Sequence, residues 1–283
     1  MAGGRVGGNT EGAHSIEWAP FFSRRQVLKV IKATLPDYLK EIELHILADT
    51  HIGDSNCDIK LIKDRIDYIS KTENAYCILN GDLIDNATRT SIGDVYSQKY
   101  KPMEQLRVAE EIFNPLQDKI IAVTPGNHEL RTYRTEGIDL SYLLSSQLGV
   151  SDRYTPDSAF IFLRFGELPK RHRRILYTIY CKHGRGGGRK EGSKINRLVE
   201  MSSIIDADIY IHSHTHIPAI VKTGYFRVDN KNSSVSQISR MFVNTAAALN
   251  YGGYGDTNEY SPSSTDTPVI YLNGTEKDMR SLL

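Results

Sequence analysis

Apolar and polar positions change their rhythm about halfway along the chain. Residues 42–48 form an apolar run with few breaks that stops at Asp49, the pattern of a buried strand. Within 61–71, Ile62, Ile66 and Ile69 recur at helical spacing, and 76–79 is the next short strand. Residues 104–113 read as a helix, 119–123 as a strand, and 139–148 as a helix closed by Gly149. Ahead of all these, 26–35 is rich in Val, Ile and Leu with interleaved Lys, which predicts an exposed strand. This alternation of strand and helix implies a parallel sheet. From residue 159 onward the pattern is strand-rich, at 159–165, 175–181, 209–212, 219–228, 240–244 and 269–272, with one helix predicted at 196–205. No internal repeat or linker divides the chain. The expectation is a Gly-rich, polar N-terminal tail over 1–19 and a single domain over 20–283, built on two sheets.

Composition narrows the class without changing that picture. With 283 residues, 40% hydrophobic and 24% charged, usage is globular and rules out wholesale disorder. No apolar run approaches a membrane span, and the N-terminus lacks the basic start and apolar block of a secretory signal. Three cysteines without CxxC spacing argue against a disulfide framework or a cysteine-only zinc site. A reducing, cytoplasmic location is the expectation that follows. The net charge is +1, but it is unevenly spread. Residues 164–190 hold nine Lys/Arg and one acid, leaving 26 bases against 33 acids elsewhere, a balance of −7. Such a segment invites an anionic ligand, although taken alone it reads as a solvated, twisted hairpin.

Metal-capable side chains fall just past the predicted strands. The first ends in Asp49-Thr50-His51, the second in Gly81-Asp82-Leu83-Ile84-Asp85, and the third in Gly126-Asn127-His128-Glu129. Later come Lys182-His183-Gly184 and His212-Ser213-His214-Thr215-His216. Ligands of open α/β sheets sit outside the carboxyl ends of strands. Imidazole, carboxylate and amide oxygen together suit Mn, Fe, Zn or Ni as divalent ions. On an extended segment, residues two apart point the same way, so Asp49 and His51 are expected to grip one ion, and His214 and His216 share that spacing. Either Asp82 or Asp49 could bridge two ions. Each piece alone is weak, since a lone His near a strand end is more often structural and a Gly-Asp pair is ordinarily a turn. Their order and placement together are hard to assign to chance.

The segments DTH (49–51), GDLID (81–85), GNHE (126–129), KHG (182–184) and SHTH (213–216) resemble, in order, the motifs of calcineurin-like metallophosphoesterases. The likeness runs from about residue 41 to residue 216, with a strand-rich continuation to about residue 272. KHGRGGGRKEG and DADIYIHSHTHIP resemble the phage and prophage-encoded members, which would act in a host cytoplasm. The resemblance implies an α/β fold, a four-layer α/β/β/α sandwich of two mixed sheets, and two divalent metal ions as cofactors. Carried over by position, Asp49, His51 and His216 would hold the first metal, and Asp82 would bridge. Asn127, His183 and His214 would hold the second. His128 would face the substrate and protonate the leaving group, with Asp85 orienting it. Two ions roughly 3.5–4 Å apart lower the pKa of a bridging water and clamp the phosphoryl oxygens, so the implied reaction is in-line attack of a metal-bridging hydroxide. An acid such as His128 is typically worth on the order of 10²–10⁴ in rate.

Two departures from the family pattern bear on substrate. Protein Ser/Thr phosphatases of the family follow the second Asp with Arg-Gly, and that Arg helps bind phosphate. Here Asn86-Ala87 follows Asp85, which puts that activity in doubt and favours a diester over a doubly charged monoester. The fifth motif usually starts with Gly and here has Ser213, a small residue still. The loop of Gly184 to Lys190, with Arg185, Arg189 and Lys190, matches neither GxGxxG nor a Walker A motif, yet its amides and bases could hold a second phosphate or a nucleic-acid backbone. Tyr251, Tyr254 and Tyr260 lie in an aperiodic stretch and read as a surface loop sooner than as a base-stacking lid.

The expected function is therefore a dinuclear-metal phosphoesterase acting on a phosphodiester in a nucleotide or nucleic acid, with no membrane partner. The alternatives are a phosphomonoesterase, a non-catalytic scaffold, and a nucleic-acid-binding module using 164–190. The scaffold is disfavoured because every ligand and His128 are present. The binding module leaves five metal-type clusters unexplained in a chain of near-neutral charge.

Overall fold

Three separate layers of buried side chains define the architecture. The computed structural model describes residues 29–89, 91, 95–166, 175–186 and 188–283, so the N-terminal tail and the bases Lys170, Arg171, Arg173 and Arg174 lie outside the described residues. The strands are β1 (Val30–Leu35), β2 (Glu41–Leu47), β3 (Ala75–Asn80), β4 (Ile120–Thr124), β5 (Ser158–Phe165), β6 (Leu176–Lys182), β7 (Ile209–His212), β8 (Ala219–Asp229), β9 (Ser234–Asn244), β10 (Val269–Asn273) and β11 (Met279–Leu282). The main helices are α1 (Ile59–Lys71), α2 (Pro102–Phe113), α3 (Glu129–Glu136), α4 (Leu140–Gln147) and α5 (Glu191–Glu200).

One sheet has the order β11-β10-β2-β3-β4 and the other β1-β5-β6-β7-β9-β8. Both are mixed: β2, β3 and β4 run parallel, as do β6, β7 and β9, while β10 and β11, β5 and β6, and β8 and β9 pair antiparallel. Between the sheets, Leu44, Ile46 and Ile78 meet Ile161, Ile179, Ile211 and Val243 in one apolar layer. Period-2 alternation sends the neighbours outward. Phe160, Tyr180, Tyr210 and Phe242 therefore pack under Leu198 of α5. On the far side of the other sheet, Cys77 and Leu79 meet Ile62 and Ile66 of α1, Leu106 and Ala109 of α2, and Leu144 of α4. The result is a helix–sheet–sheet–helix sandwich of four layers, with β10 returning antiparallel to β2 from the C-terminal end of the chain.

Local chemistry sets the helix starts. Asp58 caps α1 by accepting the Leu61 N–H at 2.9 Å, which begins that helix earlier than its apolar period alone indicates. Pro102 occupies the first turn of α2, where its missing N–H costs nothing, and Glu104 accepts the Lys101 N–H at 3.0 Å.

Five elements differ from the sequence-based expectation. The strand at 26–35 is not simply exposed: β1 buries Ile31 and Leu35 while pairing with β5 at a sheet edge. The helix expected at 196–205 is α5, displaced toward the N-terminus, and a 3₁₀ turn over Met201–Ser203 follows it. Helix α3 and strand β11 were not foreseen. Strand β9 begins at Ser234, well before residue 240, because its polar first half pairs with β8 in a ribbon that needs no buried face.

Candidate metal centre

The carboxyl ends of β2, β3, β4, β6 and β7 meet at one edge of the sandwich, as parallel strands in facing sheets allow. Asp49 and His51 follow β2, Asp82 and Asp85 follow β3, and Asn127 and His128 follow β4. His183 follows β6, and His214 and His216 follow β7. All five strand ends are needed for one site.

Left-handed backbone is what aims these side chains. Asp49, His51, Asp82, His214 and His216 all have φ between 44° and 67°, as does Asn86 at 44°. Asp, Asn and His tolerate that region better than most residues, and a β-branched residue would be badly strained there. The expectation that Asp49 and His51 share a direction through strand alternation is therefore incorrect in its cause. They meet through two left-handed turns, with Asp49 Oδ1 and His51 Nε2 4.0 Å apart. His214 and His216, with the same spacing, go to different groups. His216 joins Asp49 and His51, whereas His214 joins Asp82 and His183. A third group, His51, Asp85 and His128, adjoins the first.

Each carboxylate gives one oxygen to the scaffold and the other to the site. Asp49 Oδ2 accepts the His214 N–H at 3.0 Å, leaving Oδ1 at 3.3 Å from His216 Nε2 and 3.9 Å from His183 Nε2. Asp82 Oδ1 accepts the His128 N–H at 2.9 Å, leaving Oδ2 at 3.1 Å from His183 Nε2 and 3.7 Å from His128 Nε2. His51 Nε2 and His216 Nε2 face each other at 3.4 Å.

Do these groups suit a metal? Asp49 Oδ1, Asn127 Oδ1 and His183 Nε2 are buried atoms without a hydrogen-bond partner. Such atoms are costly unless something else satisfies them. His183 Nδ1 meets the Asn80 carbonyl at 2.7 Å, and since a carbonyl only accepts, Nδ1 carries the hydrogen and Nε2 points inward. That is the backbone-anchored arrangement usual for metal-binding histidine. The donor set fits divalent ions.

Electrostatics agree. Burial lifts the Asp49 carboxyl, but His216 and His183 outweigh it and hold the group down at about 2. Burial likewise opposes ionisation of Asp82 and Asp85, and the surrounding histidines keep both well below the usual carboxylate range. Conversely, desolvation disfavours charged His51 and His183, yet the nearby carboxylates raise them to about 9 and about 10. His214, desolvated and beside His183, is lowered to about 4.

Several residues support the site in ways the sequence did not indicate. Glu129, buried at the start of α3, accepts backbone N–H groups from Asp82, Leu83, Ile84 and Gly126 at 2.6–3.2 Å. Asn80 donates to Ser213 Oγ at 2.7 Å, so the Ser in the fifth motif ties one sheet to the other. Gln98 donates to Asp85 Oδ2 at 2.7 Å and is itself held by Gln105, a fully buried polar residue of α2. A buried glutamine on an apolar helix face was the one available clue. Asp85 Oδ1 stands 3.2 Å from His51 Nδ1 and 3.0 Å from His128 Nδ1. Arg131 of α3 reaches His128 Nε2 at 2.9 Å. Gly184, with φ of 99°, lies so close to His212 that a Cβ would sit 2.1 Å from its Nε2.

Arg185, Arg189 and Lys190 are exposed on the loop between β6 and α5, outside the three groups. Tyr251 is exposed, and the loop containing it packs near the site through the Ser263 hydroxyl, which donates to the His216 carbonyl at 2.5 Å.

Converging carboxylates and imidazoles at the strand ends of a four-layer sandwich define a metal-binding α/β protein. The chain belongs to the calcineurin-like phosphoesterase family, whose sequence model matches residues 43–218. Similar solved structures include a conserved uncharacterized protein of Streptococcus pneumoniae TIGR4, a predicted phosphoesterase, at 15% identity over 86% of this chain and 90% of that one (TM-score 0.36). Vps29 of Entamoeba histolytica complexed with zinc is 10% identical over 85% and 97% (TM-score 0.38). A metallophosphoesterase of Sphaerobacter thermophilus is 12% identical over 82% and 84% (TM-score 0.34). No curated protein matches the sequence. Among the described residues, no helix is long and apolar enough to cross a membrane.

Two outcomes follow from this geometry. Glu129→Gln turns an NH₂ toward backbone donors and should cost about 1–3 kcal/mol for each amide left unpaired, seen as a lower denaturant midpoint together with lost metal. Unchanged stability would contradict the anchoring role. Secondly, metal must displace the protons of His51 and His183, so uptake should release protons at pH 7 and tighten as pH rises toward about 9. In the metal-free protein the same raised histidines stabilise the fold fully below about pH 6.5, their unfolded value, and that contribution is lost as pH climbs through about 9 and about 10. Calorimetry in buffers of different ionisation enthalpy, with unfolding midpoints across pH 6–10, checks both signs.

Proposed function

We propose that the protein is a dinuclear-metal phosphoesterase whose preferred substrate is a phosphodiester of a nucleotide or nucleic acid. The observation that carries this reading is the pair of adjacent ligand groups, Asp49-His51-His216 and Asp82-His183-His214, with three partnerless buried atoms facing inward and His128 beside them. Asn127 Oδ1 would complete the second group, and Asp82 Oδ2 would serve both. Two divalent ions held there would supply an activated water and the positive charge that displacement at phosphorus requires.

The remaining work falls to the chain's own groups. His128 Nδ1 lies 2.6 Å from the Asp85 carbonyl, so Nδ1 holds a hydrogen and Nε2, which Arg131 approaches, is the atom left to exchange a proton with substrate. As the bond to phosphorus breaks, Nε2 passes its proton to the departing oxygen, which would otherwise leave as a costly alkoxide. Asp85, through its carbonyl and Oδ1 beside Nδ1, keeps the ring in that tautomer and orientation. Arg185, Arg189 and Lys190, exposed on the loop that follows His183, would engage a neighbouring phosphate, as a polynucleotide would offer. Three buried free thiols, Cys57, Cys77 and Cys181, suit action in a reducing compartment.

A monoesterase remains the second reading because of Asn86 and Arg131. Asn86 is fully buried, and its side chain donates to the His128 carbonyl at 2.7 Å and Thr132 Oγ1 at 2.9 Å, so it holds α3 in place. The cation missing from position 86 is replaced nearby by Arg131, which weakens the case against monoesters. The test is protein reconstituted with Mn²⁺, Ni²⁺ or Zn²⁺ and assayed on mono- and diesters and on single-stranded DNA and RNA. Diesters are expected to give the higher kcat/KM, and Arg185→Ala with Arg189→Ala should reduce turnover of extended substrates more than of a small chromogenic diester. Better turnover of monoesters would reverse the substrate assignment. In the same assay, Asp82→Asn should lose metal from both groups, whereas His128→Asn should keep metal and lose turnover. Equal metal loss in the two variants would refute the division of roles.

A further inference from the structure

Arg131 is a cation at the edge of an acid-rich site with no acid attached to it. Its guanidinium is half-buried on α3, three residues beyond His128, and among the described residues no ion pair joins it to a carboxylate. Nη1 donates to the backbone carbonyls of Asp85 at 3.0 Å and Asn86 at 3.4 Å, while Nη2 lies 2.9 Å from His128 Nε2. The fork is thereby held over the turn that follows β3, next to an imidazole nitrogen that is itself 3.7 Å from Asp82 Oδ2.

The contact with His128 has a chemical consequence. Because His128 Nδ1 faces a carbonyl, its hydrogen sits there, and neutral His128 can accept from Arg131 at Nε2. Guanidinium has only donors. Nη2–H thus holds the place on Nε2 that a departing oxygen must reach, and it gives that place up most readily where another oxygen accepts from Nη2. A phosphate ester has the needed geometry, since its departing oxygen and its non-bridging oxygens are covalent neighbours on one phosphorus. Arginine's planar fork suits such oxygens and can pivot about the anchored Nη1 without unfolding α3.

The geometry points to Arg131 as a substrate-binding residue: its Nη2 leaves His128 Nε2 and donates to a non-bridging oxygen of the phosphate ester being cleaved. This rests on the phosphoesterase reading above but adds a residue to it. No bond is made or broken by Arg131; it orients the phosphorus and frees Nε2 toward the departing oxygen.

Inorganic phosphate is the probe. Titrated into the metal-loaded protein by calorimetry, it should bind Arg131→Ala roughly 10–100-fold more weakly than wild type, the scale of one charge-assisted hydrogen bond. Arg131→Lys should recover part of that loss, and added guanidinium ion should recover part of it in Arg131→Ala. Arg134→Ala, an exposed change on the same helix, should bind as wild type does. Metal content should be unchanged in all of them. In turnover assays the Arg131→Ala defect should fall on KM as well as kcat. Wild-type phosphate affinity in Arg131→Ala, or no phosphate binding by the wild type itself, overturns the proposal. So does a defect confined to metal content or folding, with Arg131→Lys no better than Arg131→Ala, which would mark a structural role only. Absence of ester hydrolysis by the wild type would instead count against the phosphoesterase reading, while the phosphate titration still decides the role of Arg131.

Discussion

A single buried carboxylate fixes the frame on which the site is built. Glu129 receives four backbone N–H groups, three from the turn after β3 and one from the turn after β4. Unpaired, each amide would cost about 1–3 kcal/mol in that interior. Burial and the neighbouring Asp82 carboxylate push the Glu129 carboxyl up, while its amide donors pull it down. The turns carrying Asp82, Asp85, Asn127 and His128 are thereby locked to each other before any ligand arrives. Gly81 and Gly126 let those turns touch, since a Cβ on Gly126 would lie 2.1 Å from Asp82 Oδ1.

That rigidity permits a backbone that would otherwise relax. Left-handed conformations cost roughly 1–2 kcal/mol per residue for ordinary side chains and less for Asp and Asn. Five of them coincide with proposed metal ligands, and Asn86 adds a sixth. They persist because neighbouring hydrogen bonds determine them: the Asp49 N–H to the Gly81 carbonyl at 3.1 Å, the His51 N–H to the Asp82 carbonyl at 3.0 Å, and the His214 N–H to Asp49 Oδ2. Strain of this kind gathers where a fold must aim polar atoms inward.

The same distinction explains what could be seen in the sequence. Strands β2, β3 and β4 and the two sheets were legible because apolar period is a local property, and the metal-capable residues stood out by type, with their roles implied only by the family resemblance. Helix α3 was not: ELRTYRTE has no apolar period, and its start is set by the Glu129 amide network and by Asn86 from another element. Arg131, Gln98 and Gln105 acquire meaning only through contacts with the turn after β3, which spacing does not encode. The cause assigned to the Asp49–His51 pairing was wrong for a related reason. Period-2 reasoning assumes extended backbone, and the ligands begin where the strand ends.

The division of ligand types between the sheets ties the site to the fold. Strands β2 and β3 deliver every carboxylate of the three groups, with His51 after β2 and His128 after β4 beside them, whereas β6 and β7 deliver only imidazoles, His183, His214 and His216. Neither sheet alone makes either principal group. Closing the apolar layer between them therefore brings acids against histidines, and Asn80 to Ser213, His183 to the Asn80 carbonyl and the His214 N–H to Asp49 are polar bonds that join the sheets beside the site. Without metal, protons on His51 and His183 temper the repulsion of Asp49, Asp82 and Asp85, so the metal-free fold is held by charges that metal binding must displace. Ion affinity is thus part of the free energy of packing one sheet on the other, as expected wherever ligands come from separate elements.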